Sequence, residues 1–585
     1  MVSFSVWKDI IILRTGGSTP PESLEPFARW NERFSGYLLS FSAQNLRRIY
    51  SAYGKIPVTQ GQERIDGLKK DAATIIDNIG KIKQIKDLGS KVSYNYKMPP
   101  LGAYQHVGVD ILVNGKSVPL FVSCGMGKTY MVITSTQIQI ETGVLKRGKT
   151  LICGKLNTLE TGWLEDFEKF SDLKVSLLWV PSNYKKKEKI LKALEEPADV
   201  YIINHDGLRV YEEELCKKQF DKVVIDESTI LKSYKGDFTR SGGAIGKSLM
   251  KVAEHATYRV IMSGTPAPNG AEDLWGQFKF LDPKGFLLEP AFNDFKEEFM
   301  DFIQFGKTPD APKKFFCPED SNRRIHDLII PMSYRVKIRD HLHDLPEKTI
   351  VKRSIYMSKE QEAHYKELLK SLSTVINDEF VSVDIRLAQI AKLRQVTGGF
   401  LIDQEETAHE IETATKLKAF DDVMEEIGDE KVVVYAQYRW EIKTLAERYK
   451  EIGAVTVYGD NSSATNVENI KSFIRDPKVK MIILHPKSAA HGITFTVSHY
   501  MIFYSISYSA EDDYQCVARI ERASQKHPMF VYYLLSKYTN PPKDGPVETI
   551  DETIYKVIRQ KNKNQEELIK QDVVSRDILN AFTLK

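Results

Sequence analysis

The sequence predicts an α/β protein built from two successive parallel-sheet units with flanking helices, preceded by a small α+β domain and carrying helical insertions. Three observations predict it. From about residue 101, short apolar runs rich in β-branched residues alternate with amphipathic segments, and the same alternation begins again at residue 431. The first 95 residues have a different texture, and 585 residues is too long for one core.

Taken in order, residues 1–95 carry Trp7 and Trp30 and then mostly helical patterns, AQNLRRIYSAYG and RIDGLKKDAATIIDNIGKIKQI, with apolar residues recurring every three or four. The first strand series reads VPLFVS (118–123), KTLICG (149–154), DVYIINH (199–205), KVVID (222–226) and YRVIMSG (258–264). Helix-like segments such as LETGWLEDFEKF and KKEKILKALEE lie between them. Residues 270–430 read as mainly helical and charged, apart from TIVKRSIYM (349–357). The second series is KVVVYAQ (431–437), VTVYG (455–459), VKMIILH (479–485), YMIFYSI (500–506) and MFVYYLL (529–535). The lysine-rich NYKKKEKILK reads as a solvated helix face or loop.

Composition narrows the function classes. Net charge is +3, so a nucleic-acid surface must be a local patch. No apolar run approaches the roughly 18 residues needed to span a bilayer, which predicts no membrane association. The N-terminal MVSFSVWKDIIILRTGG has only four consecutive strongly apolar residues and does not read as a signal peptide. The five cysteines are scattered without C-x-x-C spacing, which predicts no zinc site and a reducing compartment. The expectation is a soluble intracellular protein, in the cytoplasm of a bacterial or phage-infected cell, with a nuclear one also open.

The stretch FVSCGMGKTYM (121–131) follows an apolar strand and precedes a helix-compatible segment. Gly125 and Gly127 permit close backbone approach to phosphates, Lys128 supplies charge, and Thr129 offers a hydroxyl for Mg²⁺. Val122 stands where the usual phosphate-loop pattern has glycine. A second match, SGGAIGKS (241–248), has no apolar strand before it and reads as a loop entering a helix. In FDKVVIDEST, four apolar residues deliver Asp226 and Glu227 to the carboxyl end of a buried strand, where open α/β sheets bind ligands. Taken alone, that pair is equally consistent with a helix N-cap.

The segment RVIMSGTPAPNGAEDLWGQFKFLDPKGF resembles the third signature motif of superfamily 2 helicases, in their Snf2-like branch. The matching residues are Gly264, Thr265, Pro266, Asn269, Asp273, Leu274, Trp275, Phe280, Leu281 and Pro283. Further segments resemble the family's motifs in order, over roughly residues 98–560. PLGAYQHVGVDIL resembles the adenine-reading motif, with Gln105, and ICGKLNTLETGWLEDFEKF resembles motif Ia, with Lys155 and Trp163. YIINHDGLR, with Asn204 and His205, resembles the motif before the acidic strand. LPEKTIVKRSIYMSKEQEAHYKELL looks like the connection into the second lobe, and KVVVYAQYRWEIKTLAE resembles motif IV. ILHPKSAAHGITFT resembles motif V, with Lys487, Ser488 and Gly492, and QCVARIERASQKHPMFVYYLL resembles motif VI, with Gln515, Arg519, Arg522 and Gln525. ETIDETIYKVIRQK resembles the helix after the second lobe.

The resemblance implies two tandem RecA-like lobes and a DNA-dependent ATP hydrolase using ATP and Mg²⁺. It implies a nucleotide held by Gln105, Gly125, Met126, Gly127, Lys128, Thr129, Tyr130 and Gly492. Thr129 and Asp226 would hold the metal, and Glu227 would polarise the attacking water. Arg519 and Arg522, three apart on a helix-like stretch, would reach the phosphates across a cleft as the lobes close. Ser263, Gly264, Thr265 and Gln515 would couple ATP state to movement, and Lys155, Asn204, His205, Asn269, Lys487 and Ser488 would contact DNA. The expected domains are 1–95 for DNA-substrate recognition, 96–345 for the first lobe with a helical extension, and 346–585 for the second.

Three departures stand out from the family pattern. Ser228 and Thr229 replace the usual Ala-His, so coupling would use a hydroxyl; Val122, Ser123 and Cys124 replace Asp-x-Met; and SISYSAEDDYQ lacks the usual Asp-x-x-Trp-Asn-Pro. FSVWKDIII and LEPFARWNERFSGYLLSFSAQNLRRIYSAYG resemble the small substrate-recognition domain of annealing helicases. A generic α+β cap on the first lobe fits those residues equally. The expected partner is duplex, forked or branched DNA, in fork regression or branch migration. The alternatives are remodelling of protein–DNA complexes and RNA-directed helicase activity.

Overall fold

The computed structural model describes residues 2–90, 93–100, 102–180, 185–235, 243–304, 313–342, 344–377, 383–403, 405–489, 493–541 and 547–568. Contacts divide the chain into two units, with breaks between His341 and Leu342 and between Lys563 and Asn564, so that the last residues of the final helix count with the first unit.

In the first unit, β1 (Ser3–Trp7), β2 (Ile10–Arg14), β3 (Arg29–Asn31), β4 (Gly36–Ser40) and β5 (Val58–Gln60) form a sheet in the order β3-β4-β2-β1-β5. Only the β1–β5 pair is parallel. β1 to β4 precede the two helical patterns read in the sequence, which fold as helices over 43–53 and 62–88. These strands are three to five residues long, too short to carry a clear alternation of period two. α1 (Ala43–Tyr53) begins where the Ser42 hydroxyl accepts the Asn45 N–H at 3.0 Å, an N-cap. It buries Leu46 and Ile49, and its Tyr50 ring meets the buried Phe4 of β1 edge-on at 6.0 Å.

α1 and α2 (Gln62–Leu88) also fasten this sheet to the rest of the first unit. Arg48 pairs with Glu289 at 2.7 Å and Glu298 at 2.9 Å. Asn78 accepts the Lys116 N–H at 2.7 Å and donates to the Ser117 carbonyl at 3.0 Å. Lys86 Nζ donates to the carbonyls of Ile330, Pro331 and Ser333, in the buried segment just past the helix Glu319–Ile329. Residues 1–95 therefore lie within the first compact unit.

After α3 (Ala103–Asn114) come β6 (Ser117–Val122), α4 (Lys128–Glu141), β7 (Thr150–Gly154), β8 (Val175–Leu177), β9 (Val200–Asn204), β10 (Lys222–Asp226) and β11 (Tyr258–Met262). A hairpin, β12 (Asp301–Gln304) and β13 (Lys313–Phe316), precedes β14 (Tyr334–Val336). The seven-stranded sheet runs β14-β6-β11-β10-β7-β9-β8, with every pair parallel. Its central strands are buried on both faces, which is why they read as continuous apolar runs. The three-residue β14 was hidden by the buried Arg335 at its centre, which interrupts any apolar run.

β10 opens on a lysine that is itself in the core. Lys222 is fully buried, and its Nζ donates to Thr136 Oγ1 at 2.9 Å and Gln139 Oε1 at 2.8 Å on α4. Burial pushes its ammonium down to about 7.

The second unit contains β15 (Lys348–Tyr356), a hairpin of β16 (Phe400–Ile402) and β17 (Ala408–Glu410), then β18 (Val432–Tyr435), β19 (Val455–Val457), β20 (Met481–Leu484), β21 (Tyr500–Phe503) and β22 (Met529–Lys537). Its six-stranded sheet runs β15-β22-β21-β18-β20-β19, again parallel throughout. The final helix, Ile550–Leu568, is held by Asp551, which pairs with the buried Lys416 at 2.9 Å and accepts the Thr397 hydroxyl at 2.8 Å. The stretch 270–430, expected to be mainly helical, thus also contributes two hairpins and β14.

Candidate active site

Sheet order decides which loops become neighbours. β6, β11, β10, β7 and β9 lie side by side, all pointing the same way. Their carboxyl ends therefore line up residues 123–127, 263–265, 226–227, 154–155 and 204–205 along one edge. Residues as far apart in sequence as Gly125 and Thr265 are brought there by the crossover from β6 to β7, which leaves room for β11 and β10 between them.

The phosphate-loop candidate leaves β6 and turns into the first residue of α4. Gly125 and Gly127 both take the left-handed conformation, with φ of 80° and 81°. Lys128 Nζ donates to the Val122 carbonyl at 2.8 Å and lies close enough to Asp226 to favour its ionised form. Thr129 is half-buried in the first turn of α4. Gln105, buried on α3, donates from Nε2 to the Met126 carbonyl at 3.3 Å. Any side chain at Gly127 would collide with that amide. Tyr130 points the other way, donating to the Met98 carbonyl at 2.8 Å and packing edge-on against Phe170.

At the end of β10, Asp226 Oδ1 accepts the Glu227 N–H at 3.0 Å and Oδ2 accepts the Trp163 indole N–H at 3.0 Å. Burial and the adjacent Glu227 carboxylate push the Asp226 carboxyl up to about 6, against the lowering effects of Trp163 and Lys128. Trp163 lies in a π-helical turn, Leu159–Leu164, an arrangement that recurs at functional sites. Glu227 has φ of 49°, a strained setting for a side chain with a Cβ. Its Oε2 is buried with no hydrogen-bond partner among the described residues. The next turn, the 3₁₀ segment Ser228–Ser233, receives no cap from the Glu227 side chain, so the N-cap reading does not hold here.

Two glycine-lined amides beside a lysine, two carboxylates and a hydroxyl form a donor set that suits a polyphosphate and a hard divalent cation. The unpartnered Glu227 oxygen and the tight Gly127–Gln105 approach both fit such a group.

The remaining expected residues are spread over both units. In the first, Ser263 and Thr265 are buried, with the Ser263 hydroxyl accepting the Thr265 N–H at 3.0 Å. Gly264 lies between them. Lys155 comes directly after β7 and is half-buried; Asn204 ends β9. His205 is buried, donates from Nε2 to the Asp226 carbonyl at 3.0 Å, and is pushed down to about 4 by burial, so it is a neutral brace for the acidic strand. Asn269 is exposed, its backbone N–H held by Asp273 at 2.8 Å.

The second unit carries the others. Lys487, exposed, and Ser488 sit in the short helix Pro486–Ala489 just past β20. Gln515 is buried in the helix Ala510–Val517 and donates to Glu511 at 3.2 Å. Gly492 lies outside the described residues. Arg519 and Arg522 do not lie on a helix, contrary to expectation. The helix stops at Val517, because the buried Gln525 amide donates to the Ile520 and Ser498 carbonyls and the Arg519 carbonyl accepts the Phe495 N–H. Both arginines therefore sit in turns, Arg519 buried and donating to the Ile493 carbonyl at 3.3 Å. In SGGAIGKS, Lys247 falls inside the helix Ala244–Val252, not at its start.

Sequence reasoning missed the Trp163 contact and the pairing of Ser228 with Gln277, since both join residues dozens of positions apart. It also missed a surface on the N-terminal sheet. Trp7 and Trp30 are 44% and 57% exposed. Trp7 lies 5.7 Å from Phe34, with Lys8 Nζ 4.9 Å over the Trp7 ring and the Arg33 guanidinium 5.9 Å from that of Phe34.

The model of the SNF2-related domain matches residues 104–414, more than half of the chain, and that of the helicase conserved C-terminal domain matches 415–524. The chain belongs to the SNF2-related family. It is thus an ATP hydrolase of the Snf2-like branch of superfamily 2, with the two tandem RecA-like lobes of that class. Protein p41 of Acyrthosiphon pisum secondary endosymbiont phage 1 is 25% identical over 447 residues, 74% of this chain and 93% of that protein. The transcription regulatory protein SNF2 of Saccharomyces cerevisiae is 22% identical over 575 residues, 89% of this chain, which spans only 33% of the yeast protein. The solved Sulfolobus solfataricus SWI2/SNF2 ATPase core in complex with dsDNA is 21% identical, with 84% of this chain and 97% of that one covered and a TM-score of 0.37, a likeness that adds nothing to the family match. No helix among the described residues is long and apolar enough to cross a membrane.

Proposed function

We propose that this Snf2-like ATPase is a translocase on duplex and branched DNA, acting in fork regression or branch migration during replication, recombination or repair. Residues 1–95 are its DNA-substrate recognition domain, with lobes at 96–345 and 346–585. The observation that carries this reading is a pair of exposed aromatic sites on one sheet: Trp7, against Phe34 with Lys8 and Arg33 beside them, and Trp30, against Tyr37. Aromatic faces flanked by cations suit the unstacked bases and phosphates found where duplexes branch.

In this reading the Gly125, Met126 and Gly127 backbone receives the phosphates, Lys128 neutralises them, and Gln105 reads the adenine. Thr129 and Asp226 hold Mg²⁺, which when bound offsets charge on the phosphates. Glu227 accepts a proton from the attacking water, Trp163 holds Asp226 in position, and Arg519 and Arg522 add positive charge during hydrolysis. Lys155, Asn204, Asn269, Lys487 and Ser488 contact the DNA backbone, a sequence-independent and salt-sensitive grip.

A deletion of residues 1–95 would strip Asn78 and Lys86 from the first lobe, so point substitutions are the better test. ATP hydrolysis is measured on forked and linear duplexes of equal length. Trp7→Ala and Trp30→Ala should each cut the preference for forks by about tenfold, one stacked base in value, and leave the linear rate unchanged. Variants that keep the wild-type preference would refute the recognition role.

A further inference from the structure

We propose that Gln277 is the relay through which the acidic strand governs the Ser263–Asn269 loop, with Ser228 as its switch. The contacts form an unbroken path, buried from Ser228 as far as Asp273. Ser228, the residue after Glu227, donates its hydroxyl to Gln277 Oε1 at 2.6 Å. Gln277 Nε2 donates to the Pro266 carbonyl at 2.6 Å and the Asp273 carbonyl at 3.0 Å. Asp273 in turn holds the Asn269 N–H at 2.8 Å. Ser228 and Gln277 are wholly buried, so water cannot substitute for either partner.

The chemistry fixes the direction of each bond. Two carbonyls face one end of the amide, so that end must be the NH₂ group, and Oε1 is left to accept from Ser228. The hydroxyl can therefore only donate. Displacing Ser228 by the movement of one bond length would leave an unsatisfied buried oxygen unless Gln277 moved with it, and Pro266 in turn. The approach depends on Gly276. A Cβ there would overlap the Leu231 carbonyl, so only glycine lets the helix Leu274–Leu281 lie against the turn Ser228–Ser233. Thr265 Oγ1, buried and without a hydrogen-bond partner among the described residues, marks the loop as a place with a second arrangement to adopt. The inference rests on Asp226 and Glu227 being the nucleotide-site carboxylates; loss of nucleotide affinity in Lys128→Ala tests that separately.

The experiment is amide hydrogen exchange across residues 263–273, with and without a non-hydrolysable ATP analogue and Mg²⁺, alongside analogue affinity by fluorescence. The wild-type protection of this loop should change on binding. Ser228→Ala and Gln277→Met should each lose most of that change while keeping affinity within about threefold, and the double variant should lose no more than either single one. Ser228→Thr, which retains the hydroxyl, should keep the response. The proposal is overturned by a full response in Ser228→Ala, by a wild-type loop that ignores the analogue, or by response and affinity falling together. Ser228→Ala removes one oxygen only, so it remains decisive even where Gln277→Met does not fold.

Discussion

Glu227→Gln should slow ATP hydrolysis by about 10²–10⁴-fold while binding ATP as tightly as the wild type, which is the loss expected when a positioned general base is removed. The substitution keeps size and shape, so backbone strain is unchanged and only proton acceptance is lost. Two features together single out this carboxylate among the described acidic residues. Its backbone sits at φ 49°, and its Oε2 is buried without a partner. Each costs free energy in the resting protein, and such costs concentrate where a reaction uses them. Steady-state phosphate release combined with nucleotide affinity checks the prediction. An unaffected rate, or a rate lost together with binding, would move the base elsewhere.

The second large effect is on stability. Lys222 titrates near 7 in the folded protein because burial penalises its ammonium. In the unfolded chain it titrates near the ordinary lysine value, about 10.4. Between those two values the unfolded state holds more protons, so stability rises with pH, by up to about 1.4 kcal/mol per unit. Lys222→Met removes that term. The stability of wild type minus that of the variant, from urea midpoints, should therefore grow from pH 7 to pH 9. Taking the difference cancels the many tyrosines that the two proteins share. A difference that is flat with pH would mean that Lys222 folds in its ordinary charged form.

The parts of this molecule visible in its sequence are those where one local signal suffices. KVVID and VPLFVS needed only a run of apolar residues to read as buried parallel strands, and strand ends then located Asp226 and the loop at Gly125. What the sequence concealed depends on pairs that meet only in three dimensions. Trp163 and Asp226 are 63 positions apart, and Ser228 and Gln277 are 49 apart. The expected hydroxyl at 228 was legible; its partner was not. Arg335 concealed β14 by placing a charge inside a strand, and in place of the helix expected at Arg519 the Gln525 side chain takes the Ile520 carbonyl and the Phe495 N–H takes that of Arg519. In the N-terminal sheet, short strands around Trp7 and Trp30 gave too little alternation to be separated from the helical patterns after them.

If a DNA duplex drives this ATPase, ATP hydrolysis should rise as duplex DNA is titrated in. The rise should be about tenfold or more, insensitive to sequence, smaller as salt increases, and not reproduced by RNA of equal length. A rate indifferent to duplex DNA, or one raised equally by RNA, would contradict a DNA-driven ATPase.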